Sequence, residues 1–182
     1  MPREIDRCVV KAKAEHEAHL LSTLAARYFA VIPQQYRTYC SLTAEVSRRV
    51  LKHFGVEASL LPCQVWCSST NGEHHVVGFV GRGSTATKWD GHVVCITNGY
   101  ILDAALHHLE REFSVPVPAV LVVQRNRLTS QSIAVATLAG GQTLLWLQPP
   151  RSAPLTIPVS PTEMVNELAQ KLIVDLQNHG AG

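Results

Sequence analysis

Residues 6–30 contain neither Gly nor Pro and are rich in Ala, Leu, Glu and Lys, which predicts a helix. Its apolar stripe, Leu20, Leu21, Leu24 and Tyr28, is clear only in the second half, and Pro33 closes it. A second helix is predicted over residues 41–54. There Leu42, Val46, Val50 and Phe54 recur at helical spacing, and Gly55 can terminate the last turn in the left-handed region. From Val56 the period changes to two. "VEASLLPCQVWC" predicts a strand interrupted at Pro62, and "HHVVGFV" a second. "HVVCITNGYILDAA" carries two short apolar runs around Asn98-Gly99, a strong hairpin signal.

A short helix is expected to about Arg111, and "AVLVVQ", "SIAVATL" and "TLLWLQ" add up to three strands. "SPTEMVNELAQKLIVDLQNHG" is the clearest helix. Ser160 is placed to cap it, Pro161 to occupy its first turn, Glu163 to complete a capping box, and Gly180 to end it. Its apolar face, if exposed, would suit a partner. The pattern predicts a single α+β domain. N-terminal helices, a cysteine at a helix start and a C-terminal helix pack on an antiparallel β-sheet.

The chain has 182 residues, enough for one domain with a sizeable core, and the 46% hydrophobic content excludes a disordered tail. Charged residues are only 16%, which leaves room for a partner or a homo-oligomer. A net charge of +2 without a dense basic run gives no support to nucleic-acid binding. No apolar run is long enough to span a membrane, and the first residues have no apolar signal core. The expectation is therefore a soluble, cytoplasmic protein in its producing cell. Five cysteines make an odd count without a secreted disulfide pattern, so most are expected to be reduced core thiols.

One cysteine is placed differently. Cys40 stands at the front edge of the second helix, where unpaired N–H groups and the helix dipole favour a thiolate. A thiol nucleophile also needs a base and an orienting group. If Asn98-Gly99 is a two-residue turn, Thr97 lies opposite Tyr100, Val94 opposite Asp103 and His92 opposite Ala105. His92 and Val94 share a face, so Asp103 becomes a diagonal neighbour of His92, roughly 7–8 Å away between backbones and within side-chain reach. Asp103 could equally cap the helix that follows.

The chain order Cys40, His92, Asp103 resembles the transglutaminase-like and papain-like cysteine-enzyme superfamily, with the Cys opening a helix and the His and Asp on successive strands. The resemblance covers about residues 34–105. It implies Cys40 as nucleophile, His92 as base, Asp103 as orienter, and Gln34, six residues before the cysteine, as an oxyanion donor. "TYCSLTAEV" replaces the "C-G-S-C-W" surroundings of classical papain-type peptidases, and the third residue is Asp rather than Asn. The implied activity is attack on a peptide, amide or glutamine carbonyl through an acyl-thioester, with a protein or peptide as substrate and no cofactor. Hydrolysis and acyl transfer both remain open.

Trp89, close to His92 in sequence, could floor a substrate groove or pack on the hairpin, and residues 81–91 would be a lid or specificity segment. Cys63 and Cys67, with His74 and His75, raise the question of zinc. Their strand-like spacing, which puts Cys63, Val65 and Cys67 on one face, favours core packing and no metal. His107 and His108 are expected on a solvated or half-buried helix face. Two further readings stand beside the enzyme: a non-catalytic interaction module on the same scaffold, and a small zinc protein using Cys63 and Cys67.

Overall fold

The computed structural model describes residues 4–81, 89–126, 129–153 and 155–180, with side chains from residue 13 onward in the first helix. In chain order the elements are α1 (Glu4–Val31), a single 3-10 turn (Gln34–Thr38), α2 (Cys40–His53), β1 (Ser59–Ser68), β2 (His74–Val77), β3 (His92–Ile96), β4 (Tyr100–Asp103), α3 (His107–Phe113), β5 (Leu121–Gln124), β6 (Ser132–Thr137), β7 (Thr143–Leu147) and α4 (Thr162–Asn178). The described structure is thus a mixed α+β fold. Its antiparallel sheet has strand order β5-β4-β3-β1-β7-β6, with β2 added to β1. The outer strands β5 and β6 approach each other, so the sheet curls towards a barrel.

Two cores follow from strand alternation. Val93 and Cys95 of β3 face α1, α2 and α4, in a core that includes Leu24, Tyr28, Val46, Leu51, Leu168 and Leu172. Val94 faces the other way, into the curl of the sheet with Cys63, Val65, Ile101, Leu109, Leu144 and Trp146. Tyr28 ties the first core to the start of α2. Its hydroxyl donates to the Thr43 carbonyl at 2.8 Å, which fixes the first turn of that helix against α1. A bidentate Arg27–Asp175 pair at 2.8 Å joins α1 to α4. It is largely solvent-screened, so it adds little beside the apolar contacts.

Several local expectations are corrected. β1 runs unbroken through Pro62, because the half paired with β3, from Ser59 to Cys63, has β3 as its only strand neighbour. A missing N–H is tolerated where one strand edge is open. The second strand ends at Val77, since Gly78 and Phe79 both take positive φ, +84° and +53°. α2 begins at Cys40 itself. The capping box on α4 does not form. The helix starts at Thr162 with Pro161 as N-cap and no side-chain cap, so Ser160 falls one residue too early to reach the first turn.

The apolar face of α4 is not exposed. Val165, Leu168, Ala169, Leu172, Ile173 and Leu176 are buried against α1 and α2, which removes one of the two features that favoured an interaction module and leaves the low charged fraction. Among the described residues, no helix is long and apolar enough to cross a membrane.

Candidate functional site

The β3–β4 hairpin sets the geometry. Cys95 pairs with Leu102 and Ile96 with Ile101, the register required by two residues, Asn98 and Gly99, between Thr97 and Tyr100. The turn itself differs from the type I′ form usual for Asn-Gly, since neither residue has positive φ. Thr97 closes it instead: its N–H donates to the Tyr100 carbonyl at 2.9 Å, and its hydroxyl accepts from the Tyr100 N–H at 3.1 Å. Thr97 also donates to the Glu17 carboxylate, which ties the turn to α1.

At the far end of this hairpin, His92 opens β3 and Asp103 closes β4. His92 Nε2 donates to Asp103 Oδ2 at 2.8 Å, and each side chain is 1% exposed. The carboxylate has further donors. Trp146 Nε1–H donates to the same Oδ2 at 2.9 Å, and the Ala105 N–H donates to Oδ1 at 3.1 Å. The Ala105 bond closes a local turn; Asp103 does not cap the helix that follows, because α3 begins later, with Leu106 as its N-cap and no side-chain cap.

Burial alone would raise the Asp103 pKa. The adjacent imidazolium and the three donors outweigh it and hold the carboxyl below its ordinary range. Burial likewise works against a charged His92. The Asp103 carboxylate, with a smaller contribution from Cys40, reverses this and raises His92 to about 10. The pair is therefore an ion pair held in a dry setting.

With Nε2 committed to Asp103, Nδ1 is the nitrogen left for chemistry. It is buried and makes no hydrogen bond. The Cys40 thiol lies close enough to the ring to stabilise its protonated form, although its Sγ makes only a long contact, 4.0 Å, to the Gly91 carbonyl oxygen. Cys40 is the first residue of α2, and no side chain caps that N-terminus. The first backbone N–H groups of the helix are thus available to an incoming oxyanion.

Glycines let the chain close around this pair. A Cβ on Gly78 would lie 2.7 Å from His92 Cβ and 3.0 Å from the Cys63 carbonyl oxygen. A Cβ on Gly91 would lie 2.2 Å from Trp89 Cζ2, so the indole rests on Gly91 beside the thiol. Trp89 is half-buried. It packs edge-on against Phe79 with ring centroids 5.7 Å apart and joins the core cluster that contains Cys40.

Gln34 opens the 3-10 turn with an exposed side chain, so the described contacts do not bring it to the thiol. Of the expected lid, residues 82–88 lie outside the described residues.

His107 and His108 lie on a half-buried helix face, one of the two expected settings, and His108 is also bonded. Its Nε2–H donates at 2.8 Å to the Thr38 carbonyl, just before Cys40, and burial with the nearby charged His92 holds its pKa down. Trp146, Gly78, Gly91 and His108 were all missed as site residues. For Gly91 the signal is present in the sequence: a glycine between a tryptophan-acid pair and His92.

Cys63, Cys67 and Cys95 are free and buried, and burial pushes their thiols up, that of Cys95 to about 12. The side chain of Cys8 lies outside the described residues. Cys63 and Cys67 belong to the second core, while His75 stacks on Phe113 and His74 bonds Ser68. Among the described residues no three His, Cys, Asp or Glu side chains are grouped to hold a metal. No family model matches the chain, and no curated protein or solved structure matches it either.

Proposed function

We propose that the chain is a thiol enzyme of the papain-like or transglutaminase-like superfamily, acting on a carbonyl of a peptide, amide or glutamine side chain. The observation that carries this reading is the buried His92–Asp103 pair, whose unbonded Nδ1 lies beside a cysteine at an uncapped helix start. Such an arrangement is costly unless used. It buries two charges, and a buried ion pair often stabilises a fold no better than apolar side chains of the same volume.

The steps follow from atom placement. The proton of the Cys40–His92 pair already rests on Nδ1 of the imidazolium, so Sγ attacks the carbonyl carbon as the thiolate, and the carbonyl π electrons move to oxygen. Backbone N–H groups at the start of α2 bind that oxygen, and Gln34 joins them if the 3-10 turn shifts towards the thiol. The tetrahedral adduct collapses. The C–N bond breaks, and His92 returns the proton to the departing amine, leaving an acyl-thioester. The acceptor then attacks the thioester carbon and loses a proton to His92, and Cys40 leaves as the thiolate beside the re-formed imidazolium.

Water as acceptor makes a hydrolase and an amine makes a transferase. Asp103 keeps Nδ1 turned to the thiol, and Trp89 walls the substrate side. No cofactor is required, and the free buried cysteines suit a reducing, cytoplasmic setting.

The test is hydrolysis or amine exchange on a library of peptides and glutamine-containing substrates, with Cys40→Ala as control. Turnover by the wild-type protein that vanishes in a folded Cys40→Ala protein supports the reading. Turnover that survives the substitution sinks it.

A further inference from the structure

Asp103 is held from three directions, and one of them comes from a strand distant in sequence. Trp146 lies on β7, which pairs with β1 and not with the β3–β4 hairpin. Val65 stands opposite Trp146, and the curl of the sheet turns the indole inward, where the side chain is fully buried. Its N–H then meets Asp103 Oδ2, the same oxygen that accepts from His92. A buried indole N–H needs an acceptor, but a backbone carbonyl would serve for that. Here the acceptor is the one carboxylate that orients the candidate base.

We propose that Trp146 is a positioning residue for the candidate active site. Its indole N–H, together with the Ala105 N–H, fixes the Asp103 carboxylate in the plane and ionisation state that hold the His92 ring towards Cys40. The proposal deepens the thiol-enzyme reading and rests on it for its consequence in activity. The positioning itself is physical and can be read without turnover. The ring of Asp103, His92 and Trp146 joins β3–β4 to β7, so the site is complete only once the sheet has curled. Loss of one donor leaves the carboxylate freer to rotate and less favoured as an anion.

The experiment compares wild type, Trp146→Phe, Asp103→Asn and the double variant by two readouts. One is the Asp103 side-chain carbon shift as a function of pH. The other is the rate at which iodoacetamide alkylates Cys40 across the same range.

In Trp146→Phe, which keeps an aromatic ring and deletes the donor, the Asp103 titration should move up by about half a pH unit or more. Cys40 alkylation near neutrality should fall roughly tenfold, as for other residues that orient a functional side chain. The same substitution should change little in the Asp103→Asn background, because its route of action is gone. An equal fall in both backgrounds, or an unmoved Asp103 titration, would overturn the proposal.

If Trp146→Phe fails to fold, the wild-type protein decides alone. Its Trp146 indole N–H resonance should exchange slowly with solvent and shift as Asp103 titrates; rapid exchange or no shift overturns the proposal. Cys40 that alkylates no faster with His92 than without it removes the thiol-enzyme reading. The Asp103 and indole titrations still report on Trp146 in that case.

Discussion

Gly78 and His92 touch backbone to side chain: a methyl group on Gly78 would sit 2.7 Å from His92 Cβ and 2.9 Å from its backbone N. Real Cβ atoms do not approach so closely, so the histidine can lie where it does only because residue 78 has no side chain. Gly78 also holds φ at +84°, which an L side chain resists. Phe79 follows at φ +53°, so two successive left-handed residues turn the chain off β2 and lay it on His92.

Gly78→Ala should therefore destabilise the protein by about 1–3 kcal/mol from the backbone conformation and the clash together. It should also displace His92 relative to Asp103. Urea unfolding and the His92 ring signals in NMR check both. An alanine accepted with unchanged stability and an unmoved ring would show that the close approach is not a constraint.

The His92–Asp103 pair gives stability a defined pH dependence. His92 is raised to about 10 from an ordinary 6.5, so its contribution is complete below 6.5 and fades as pH rises through 10. Asp103 is lowered from 3.8, so its contribution is present above that value and fades as pH falls through its depressed folded value. Both are fully expressed between about pH 4 and 6.5.

Asp103→Asn leaves His92 buried without its counter-charge, which costs about 3–5 kcal/mol where the histidine would be protonated. The gap in urea midpoint between wild type and Asp103→Asn should be wide near pH 6 and narrow towards pH 10. A gap independent of pH would mean that the pair is not ionised in the folded state.

The cysteines should separate by reactivity. In a Cys8→Ser background four remain, all buried. Cys63, Cys67 and Cys95 have thiols pushed up by burial, and each is 0% exposed. Cys40 retains a little exposure, 8%, and adjoins the imidazole. Iodoacetamide under native conditions should label Cys40 at least tenfold faster than the rest, and His92→Ala should abolish the lead, since thiolate rather than thiol is the reacting form. Peptide mass spectrometry reads the four sites separately.

How much of this was legible depended on the range of the interactions. The Asn98-Gly99 hairpin, strand alternation and the apolar period of α2 are local, and they placed His92, Asp103 and Cys40 in workable positions from residue order alone. Even there, the turn closed by another route: the Thr97 hydroxyl accepts the Tyr100 N–H, while the Thr97 backbone N–H donates to the Tyr100 carbonyl. Trp146 could not be foreseen. Its approach to Asp103 depends on β7 pairing with β1 across all the strands and the helix between them, and periodicity carries no information on which strands pair. The Gly78 contact is hidden for the same reason. The capping box on α4 failed by a one-residue shift in the helix start, a boundary that propensity does not resolve.

Trp89 and Gly91 give the last prediction. The indole rests on Gly91, and the Gly91 carbonyl oxygen lies 4.0 Å from the Cys40 thiol. A side chain at residue 91 must expel the indole, because its Cβ would fall inside the ring. Gly91→Ala should therefore open the site. The Trp89 fluorescence should shift to the red as the ring reaches water, and small alkylating reagents should reach Cys40 faster.

Trp89→Ala should open the site as well, by removing the cover without crowding the carbonyl. If both substitutions speed alkylation by small reagents while lowering turnover of peptide substrates, Trp89 both covers the thiol and contacts the substrate. If Trp89→Ala speeds alkylation and leaves turnover unchanged, the indole is a cover alone, and specificity must reside elsewhere around Cys40.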